Sequence, residues 1–337
     1  MKILVTGGAG YIGTHTLVKL IENKYDPIVY DSFVNSSLEL LNKVEIITGH
    51  KVKYYKGDIR DKEALDRIFA LHRFDAVIHF AGLKSPSQSL LNPIEYYENN
   101  VFGSMQLLKV MMDHYVKAIV FSSSAAVYGN ATQLPIKEEE KNLNPINPYG
   151  RSKLIIENFL NDIYHSDKKW KIINLRYFNP IGAHNSGLIG EKSKYSQENL
   201  LPIIARITKN KNQKLNIFGT DYNTHDGTGI RDYIHIDDLA NGHIRALEKI
   251  CFDCGIWNVN LGTGKGFSVL EIINSFEKIT GEKVPYQSAP RRLGDVPASY
   301  ADPSYAKELL NWEAKKTLDE MIEDFWRWES LNRSIIN

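Results

Sequence analysis

The chain has 337 residues, 43% hydrophobic and 24% charged, the composition of an ordinary globular protein long enough for one large core or two modest domains. Lys plus Arg number 41 and Asp plus Glu 40, so no global field draws nucleic acid or an anionic membrane, and an anionic ligand must be held by local basic residues. The opening residues run from a short apolar strand into a glycine turn, no later apolar run approaches membrane length, and the expectation is a cytoplasmic protein.

The first predicted strand covers residues 2–6 and is continuously apolar at its centre, as a strand buried on both faces should be. It runs into Gly7-Gly8-Ala9-Gly10-Tyr11-Ile12-Gly13, and a helical pattern follows over 13–22. Gly8, Gly10 and Gly13 fit G-x-G-x-x-G, while Gly7, Gly10 and Gly13 fit the related G-x-x-G-x-x-G. Such glycines allow a tight turn and let backbone amides approach a pyrophosphate at the helix N-terminus; alone, they mean only a tight strand-to-helix turn. The second strand, 28–31, supplies the missing context by ending on Asp31. A carboxylate there accepts hydrogen bonds from adenosine ribose hydroxyls and repels a 2′-phosphate, which favours NAD over NADP.

The third strand, 52–56, leads into Gly57-Asp58-Ile59-Arg60-Asp61. Asp58 there could read an adenine ring, and an N-cap by Asp58 or Asp61 for the helix predicted at 61–71 is an equal alternative. The fourth strand, 76–81, ends in Phe80-Ala81-Gly82, where small residues suit a close cofactor, with Lys84 nearby to neutralise a phosphate. A helix is predicted over 96–114. The fifth strand, 118–122, runs out through Ser122-Ser123-Ser124, which brings a hydroxyl to the same crevice. The charge run 137–141 (KEEEK) reads as a solvated loop.

The helix predicted at 149–165 sets Tyr149 and Lys153 at i and i+4 on one face. A tyrosine of pKa about 10 needs a shift of roughly 3 units, or about 4 kcal/mol, to act as a base near neutrality. A lysine one turn away and a cationic nicotinamide are charges of the kind that supply it. A sixth strand at 172–176 completes repeated β-α-β units, which imply a parallel sheet with right-handed crossovers. From about residue 181 polar loops at 183–196 and 221–229 break the alternation. The expected fold is therefore α/β: a doubly wound parallel Rossmann sheet over 1–180, and a smaller α/β C-terminal substrate domain over 181–337 packed on the carboxyl ends of the strands, with some later segments returning to the first.

Cys251 and Cys254 have C-x-x-C spacing but no second pair of zinc ligands, and read as incidental thiols. His225-Asp226 and His235-Ile236-Asp237 lack the spacing of a metal motif, so no metal is expected. No basic stripe interleaved with aromatics points to nucleic acid.

A dinucleotide turn, a serine-ended strand and then Y-x-x-x-K, in that order, resemble the short-chain dehydrogenase/reductase superfamily in its extended, sugar-nucleotide form, over nearly the whole chain. The strings GGAGYIG (7–13), FAGLKS (80–85), SSSAAVYG (122–129), PYGRSK (148–153), RYFNPIGAH (176–184), RDYIHIDDLA (231–240) and RRLGDVPASYADPS (291–304) resemble the UDP-glucose 4-epimerases within it. That resemblance implies a reversible oxidation at one sugar carbon. Tyr149 would take the proton of the 4-hydroxyl while hydride passes from C4 to tightly held NAD. The 4-keto sugar would turn about its phosphate linkage, and hydride would return to the opposite face. Lys153 would bind the nicotinamide ribose and lower the tyrosine pKa, Ser124 would bond the 4-oxygen, and Tyr177 would orient the nicotinamide.

The resemblance further implies cofactor contacts from Gly7, Gly10, Tyr11, Ile12, Gly13, Asp31, Asn35, Ser36, Asp58, Ile59, Phe80, Ala81, Gly82, Lys84, Asn99, Ser122, Tyr149, Lys153, Tyr177 and Phe178. Substrate contacts would come from Lys84, Ser124, Tyr149, Asn179, Asn199, Leu200, Asn216, Phe218, Arg231, Tyr233, Arg292, Asp295 and Ser299. Guanidinium groups suit diphosphate oxygens, and an aromatic with amides suits uracil. Ser299 stands where relatives restricted to unsubstituted hexoses tend to carry tyrosine, so UDP-N-acetylhexosamines are expected beside UDP-hexoses. A homodimer built on a helical bundle is implied as well. Two rivals are a 4,6-dehydratase, whose Asp-Glu pair is replaced here by Ala125 and Ala126, and a non-catalytic NAD-sensing regulator, which would not need Ser124, Tyr149 and Lys153 together.

Overall fold

The computed structural model of the chain describes residues 1–191, 199–209, 213–292 and 295–333. In chain order the strands of its first half are β1 (Lys2–Thr6), β2 (Asp26–Asp31), β3 (Lys53–Lys56), β4 (Ala76–His79), β5 (Ala118–Ser124) and β6 (Lys171–Tyr177). There follow β7 (Asn179–Ile181), β8 (Leu215–Phe218), β9 (Ile230–His235), β10 (Gly255–Leu261), β11 (Gly266–Ser268), β12 (Tyr286–Ala289) and β13 (Ala298–Ser299). The central Ile3, Leu4 and Val5 of β1 are wholly buried, which is what a strand covered on both faces requires.

The main sheet has the order β10-β6-β5-β4-β1-β2-β3 with every pair parallel, so the chain winds outward one way from β1 and then the other from β4. All six predicted strands are present. The seventh, β10, comes from the later half, which therefore contributes to both layers. Helices α1 (Tyr11–Glu22) and α2 (Leu38–Thr48) bury Leu17, Leu20, Leu41 and Val44 on one face of the sheet. On the other face α3 (Lys62–Leu71) buries Leu65 and Ile68. Short helices α4 (Pro86–Leu91) and α5 (Pro93–Tyr96) lead through a π-helical turn, Tyr97–Phe102, into α6 (Gly103–Asp113). Then α7 (Pro148–Ser166) packs against the π-helical turn and the sheet, burying Ile156 and Leu160.

The single helix expected over 96–114 is thus broken. The π turn widens the backbone by one residue, and Asn99 lines the main cavity while Asn100 is buried. Helix α2 is absent from the sequence reading because its buried stripe is narrow, with only Leu40, Leu41 and Val44 covered. The run at 137–141 is not wholly solvated either: Glu138 Oε1 accepts the backbone N–H of Asn260 at 2.7 Å.

The smaller layer holds β7 and β13 parallel to β9 with β11 antiparallel, and a separate parallel pair of β8 and β12. Its core gathers Ile204 of α8 (Leu200–Lys209), Tyr233, Phe276 and Phe325. Helix α9 (Ile236–Phe252) leaves this layer directly after β9 and returns to lie against α1, burying Leu239, Ile244 and Leu247 in the main core. Part of the predicted loop at 183–196, residues 192–196, lies outside the described residues. Among the described residues no helix is long and apolar enough to cross a membrane.

Candidate active site

A cavity of about 1210 Å³ opens where the sheet reverses direction, between the carboxyl ends of β1 and β4, and extends under the smaller layer. That exceeds the roughly 300–1,000 Å³ of an ordinary small-molecule site. Every residue expected above to touch cofactor or substrate lines it, with one exception, Ser299. Ser299 is half-buried in β13, where it pairs in register with the lining residue Arg231.

The floor is the glycine turn. Gly7 has φ +69°, and a Cβ on it would lie 2.6 Å from the backbone nitrogen of Ala81. A Cβ on Gly13 would meet the Gly7 carbonyl oxygen at 2.7 Å. The turn is thus wedged against the end of β4, and Gly10 caps α1 with no side-chain acceptor and no acid in the first turn. This leaves the positive end of α1 facing the cavity. Of the two glycine spacings, 7-10-13 is the one whose first glycine has the left-handed φ.

Asp31 is buried at the end of β2. Its carboxylate accepts from Ala9 N at 3.0 Å, Phe33 N at 2.8 Å and Ser36 Oγ at 2.9 Å, which fixes the wall carrying Asn35. Asp61, not Asp58, caps α3, accepting from Ala64 N at 2.9 Å. The Asp58 carboxylate is gripped by Arg60, whose hydrogen bonds hold it below its ordinary pKa. Asn100 pins the wall after β4, bonding both the N–H and the carbonyl of Leu83 and reaching Ser152 Oγ on α7 at 3.1 Å.

The first turns of α7 supply the reactive set. Asn147 caps the helix, accepting from Gly150 N at 2.8 Å, and Pro148 occupies its first position. Burial pushes the Tyr149 phenol above its ordinary value, and the neighbouring Ser124 hydroxyl acts in the opposite sense. Lys153 is buried, donates from Nζ to the carbonyl of Ser122 at 2.7 Å, and lies 5.9 Å from the centre of the Tyr149 ring. Burial lowers its pKa to about 8. Tyr177 is buried above the set, its hydroxyl bonded to His243 Nε2, with Phe178 beside it.

The far wall carries cations already engaged. Arg231 donates to Ile230 O at 2.8 Å and stands 3.6 Å from Asp295, while the guanidinium of Arg292 lies 4.0 Å over the Phe218 ring. Asn216 Oδ1 accepts from Gln287 at 2.8 Å, and Asn179, Leu200 and Tyr233 fill the wall between. Among the lining residues that the sequence reading did not name is Glu191, which is buried and accepts on the same Oε1 from Lys84 at 2.8 Å and Asn199 at 2.6 Å. It belongs to no motif, and its lysine partner is 107 residues away, so no local signal pointed to it. The thiols take no part: Cys251 contacts Met1 Sδ at 3.2 Å, and Cys254 is exposed.

A doubly wound sheet with a glycine turn at its reversal point, followed by serine, tyrosine and lysine on the next strand and helix, defines an extended short-chain dehydrogenase/reductase. A family model described as GDP-mannose 4,6 dehydratase matches residues 4–325. The UDP-glucose 4-epimerase of Bacillus subtilis is 50% identical over 332 residues, 98% of each chain. A solved UDP-glucose 4-epimerase from Bifidobacterium longum in complex with NAD+ and UDP is 48% identical, with a TM-score of 0.95 over 99% of each chain. The UDP-Glc/GlcNAc 4-epimerase from Campylobacter jejuni is 35% identical, with a TM-score of 0.85 over 98% of this chain and 99% of that one. The chain belongs to the UDP-glucose 4-epimerase family.

Proposed function

We propose that this protein interconverts UDP-glucose and UDP-galactose at C4 through a 4-keto sugar, with NAD retained throughout. The observation that carries the reading is the position of Ser124, Tyr149 and Lys153 on one cavity, between the glycine turn and the arginine-bearing wall. Three structural features fit the dinucleotide. The uncapped amides of α1 suit a pyrophosphate, the space a Cβ would fill at Gly7 is already taken by the end of β4, and Asp31 suits a ribose diol and repels a 2′-phosphate. NAD, when bound, supplies a reversible hydride acceptor.

The chain's own groups manage the proton and the pose. Tyr149 takes the proton of the 4-hydroxyl and later returns it, and Ser124 holds the same oxygen. Reaching a tyrosinate near neutrality takes about 4 kcal/mol of preferential anion stabilisation. Burial works against it, so the lowering comes from Lys153 acting together with positive charge in the occupied site. Buried Tyr177 and Phe178 exclude water from the reacting face. Arg231 and Arg292 hold the diphosphate and Phe218 the uracil, leaving the sugar free to turn. The cofactor unit comprises residues 1–180 with the returning segment 236–261, and the remainder holds the sugar nucleotide.

Ser299 supports activity on UDP-GlcNAc and UDP-GalNAc through the bulk it lacks beside Arg231. The likeness to the Campylobacter enzyme supports the same reading. A homodimer is supported by apolar residues left exposed around α4 to α7, among them Leu91, Ile94, Phe102, Met105 and Ile155. Dehydration is disfavoured because Ala125 and Ala126, in the short turn after β5, carry no acid or base.

Purified protein given UDP-galactose and, separately, UDP-GalNAc with no added NAD tests the proposal. Turnover of both is expected, with Ser299→Tyr suppressing the hexosamine alone. No turnover even with NAD supplied would overturn the epimerase reading, and an unselective Ser299→Tyr would overturn the pocket reading.

A further inference from the structure

Tyr149, Lys153 and Glu157 occupy successive i, i+4 positions of α7 and so share one face. Against that face lies Ser122-Ser123-Ser124, and each of the three serines meets one of them. The Ser124 side chain neighbours the Tyr149 phenol, the Ser122 carbonyl accepts from Lys153, and Ser123 Oγ donates to Glu157 Oε1 at 2.5 Å. The proposed chemistry uses the first two contacts and leaves the third unexplained.

Glu157 is 4% exposed, so its charge must be compensated. Arg176 of β6, 1% exposed, grips it with both arms, Nε to Oε1 at 3.0 Å and Nη2 to Oε2 at 2.7 Å. Arg176 is the cross-strand partner of Ser123. Its guanidinium lies 4.9 Å over the Tyr128 ring and donates to the Tyr128 hydroxyl, which donates in turn to Asn260 of β10 at 2.7 Å. The far end of the reactive face is thereby fastened to three neighbouring strands. Buried ion pairs are weak sources of stability compared with apolar packing of the same volume, so this one calls for another explanation.

Lys153 provides it. The titratable groups set against it are Tyr149 and Glu157 on its own helix and His79 on β4, with Arg176 of β6 gripping Glu157. Of these only Glu157 carries a carboxylate. Burial draws the ammonium toward neutrality and Glu157 opposes that.

We infer that Glu157, held by Ser123 and Arg176, is a positioning residue: it fixes the rotation of α7 that aligns Tyr149 and Lys153 with the serine run, and it is the anion that keeps Lys153 charged. The kinetic consequences rest on the proposed epimerase chemistry, whereas the charge on Lys153 does not.

The test compares NAD-bound wild type with Glu157→Gln, Glu157→Asp and Ser123→Ala, using UDP-galactose turnover across pH and NMR titration of isotope-labelled lysine, with Lys153 assigned by its loss in Lys153→Arg. In Glu157→Gln the Lys153 titration and the alkaline limb of kcat move to lower pH. kcat falls by roughly 10- to 100-fold at unchanged KM, the scale expected of a small misplacement of reacting groups. Glu157→Asp returns the titration to its wild-type position without restoring all of kcat. Ser123→Ala, which leaves the ion pair intact, lowers kcat about threefold and moves neither. A Lys153 titration unmoved in folded Glu157→Gln overturns the inference. If Glu157→Gln does not fold, wild-type kcat in Ser123→Ala overturns it. A wild type inert toward UDP-galactose sinks the epimerase reading, and the lysine titration then still decides the role of Glu157.

Discussion

Replacing Gly7 and Gly10 separately by alanine should split folding from cofactor binding. At Gly7 an alanine meets two costs. Its φ of +69° is left-handed, which costs an L-residue about 1–2 kcal/mol. Its methyl would also lie 2.6 Å from Ala81 N and 2.9 Å from both Ala81 Cα and Phe80 C. All three are backbone atoms at the end of β4, so the strand itself must retreat, at about 1–3 kcal/mol for overpacking of this kind. Together these reach about 2–5 kcal/mol, a large part of the roughly 5–15 kcal/mol that holds a domain folded. At Gly10, φ is −78° and the nearest outside atom is Gly7 O at 3.3 Å. Alanine there should cost less than about 1 kcal/mol of stability. Its methyl nevertheless stands at the uncapped end of α1, where a pyrophosphate must approach backbone amides, and should weaken NAD binding at least about tenfold, or ~1.4 kcal/mol. Urea melts of the NAD-free proteins, with the dinucleotide retained through gel filtration measured in parallel, read both quantities. A Gly7→Ala protein as stable as wild type, or a Gly10→Ala protein holding its full complement of NAD, would refute the reasoning.

Three further outcomes are expected. Fully buried His15, His79 and His243 are held neutral, with pKa lowered by burial from 6.5 to about 4, 3 and 4 respectively. The unfolded chain takes up these protons below pH 6.5 and the native one does not, so stability falls as pH drops from there toward 4, by up to about 4 kcal/mol per unit once all three contribute. Denaturant melts at stepped pH check this, and a flat profile contradicts it. Glu191→Gln should raise KM for the UDP-sugar about threefold with kcat nearly unchanged, because it loosens Asn199 rather than the reacting groups. A fall in kcat at constant KM would speak against that. Tyr149→Phe should lower turnover by at least about 100-fold while leaving the melt and bound NAD as in wild type, and near-normal turnover would exclude Tyr149 as the base.

The first six strands were legible because runs such as Ile3-Leu4-Val5 are buried on both faces and must be apolar throughout. Strand β10 was not, because it carries Asn258 and Asn260, which bond Asn174 and Tyr128 across the sheet and give the segment a polar look. The glycine turn, Asp31 and the Tyr149–Lys153 pair could be read because turn and helix geometry act at short spacing. Glu157 and Glu191 could not, since each acquires its meaning from a partner on another element. Ser299 is a different case. A string match brought it to the pocket, and the fold pairs it in register with the lining residue Arg231 without making it a lining residue itself.

The central claim is that the sugar carbon is oxidised and reduced within one turnover, with Tyr149 moving only the hydroxyl proton. UDP-galactose carrying deuterium at C4, turned over in ordinary water without added NAD, tests it most directly. The account predicts UDP-glucose that keeps the deuterium at C4. Product with hydrogen from solvent at C4 would mean that the carbon itself exchanges with water, and would contradict the account.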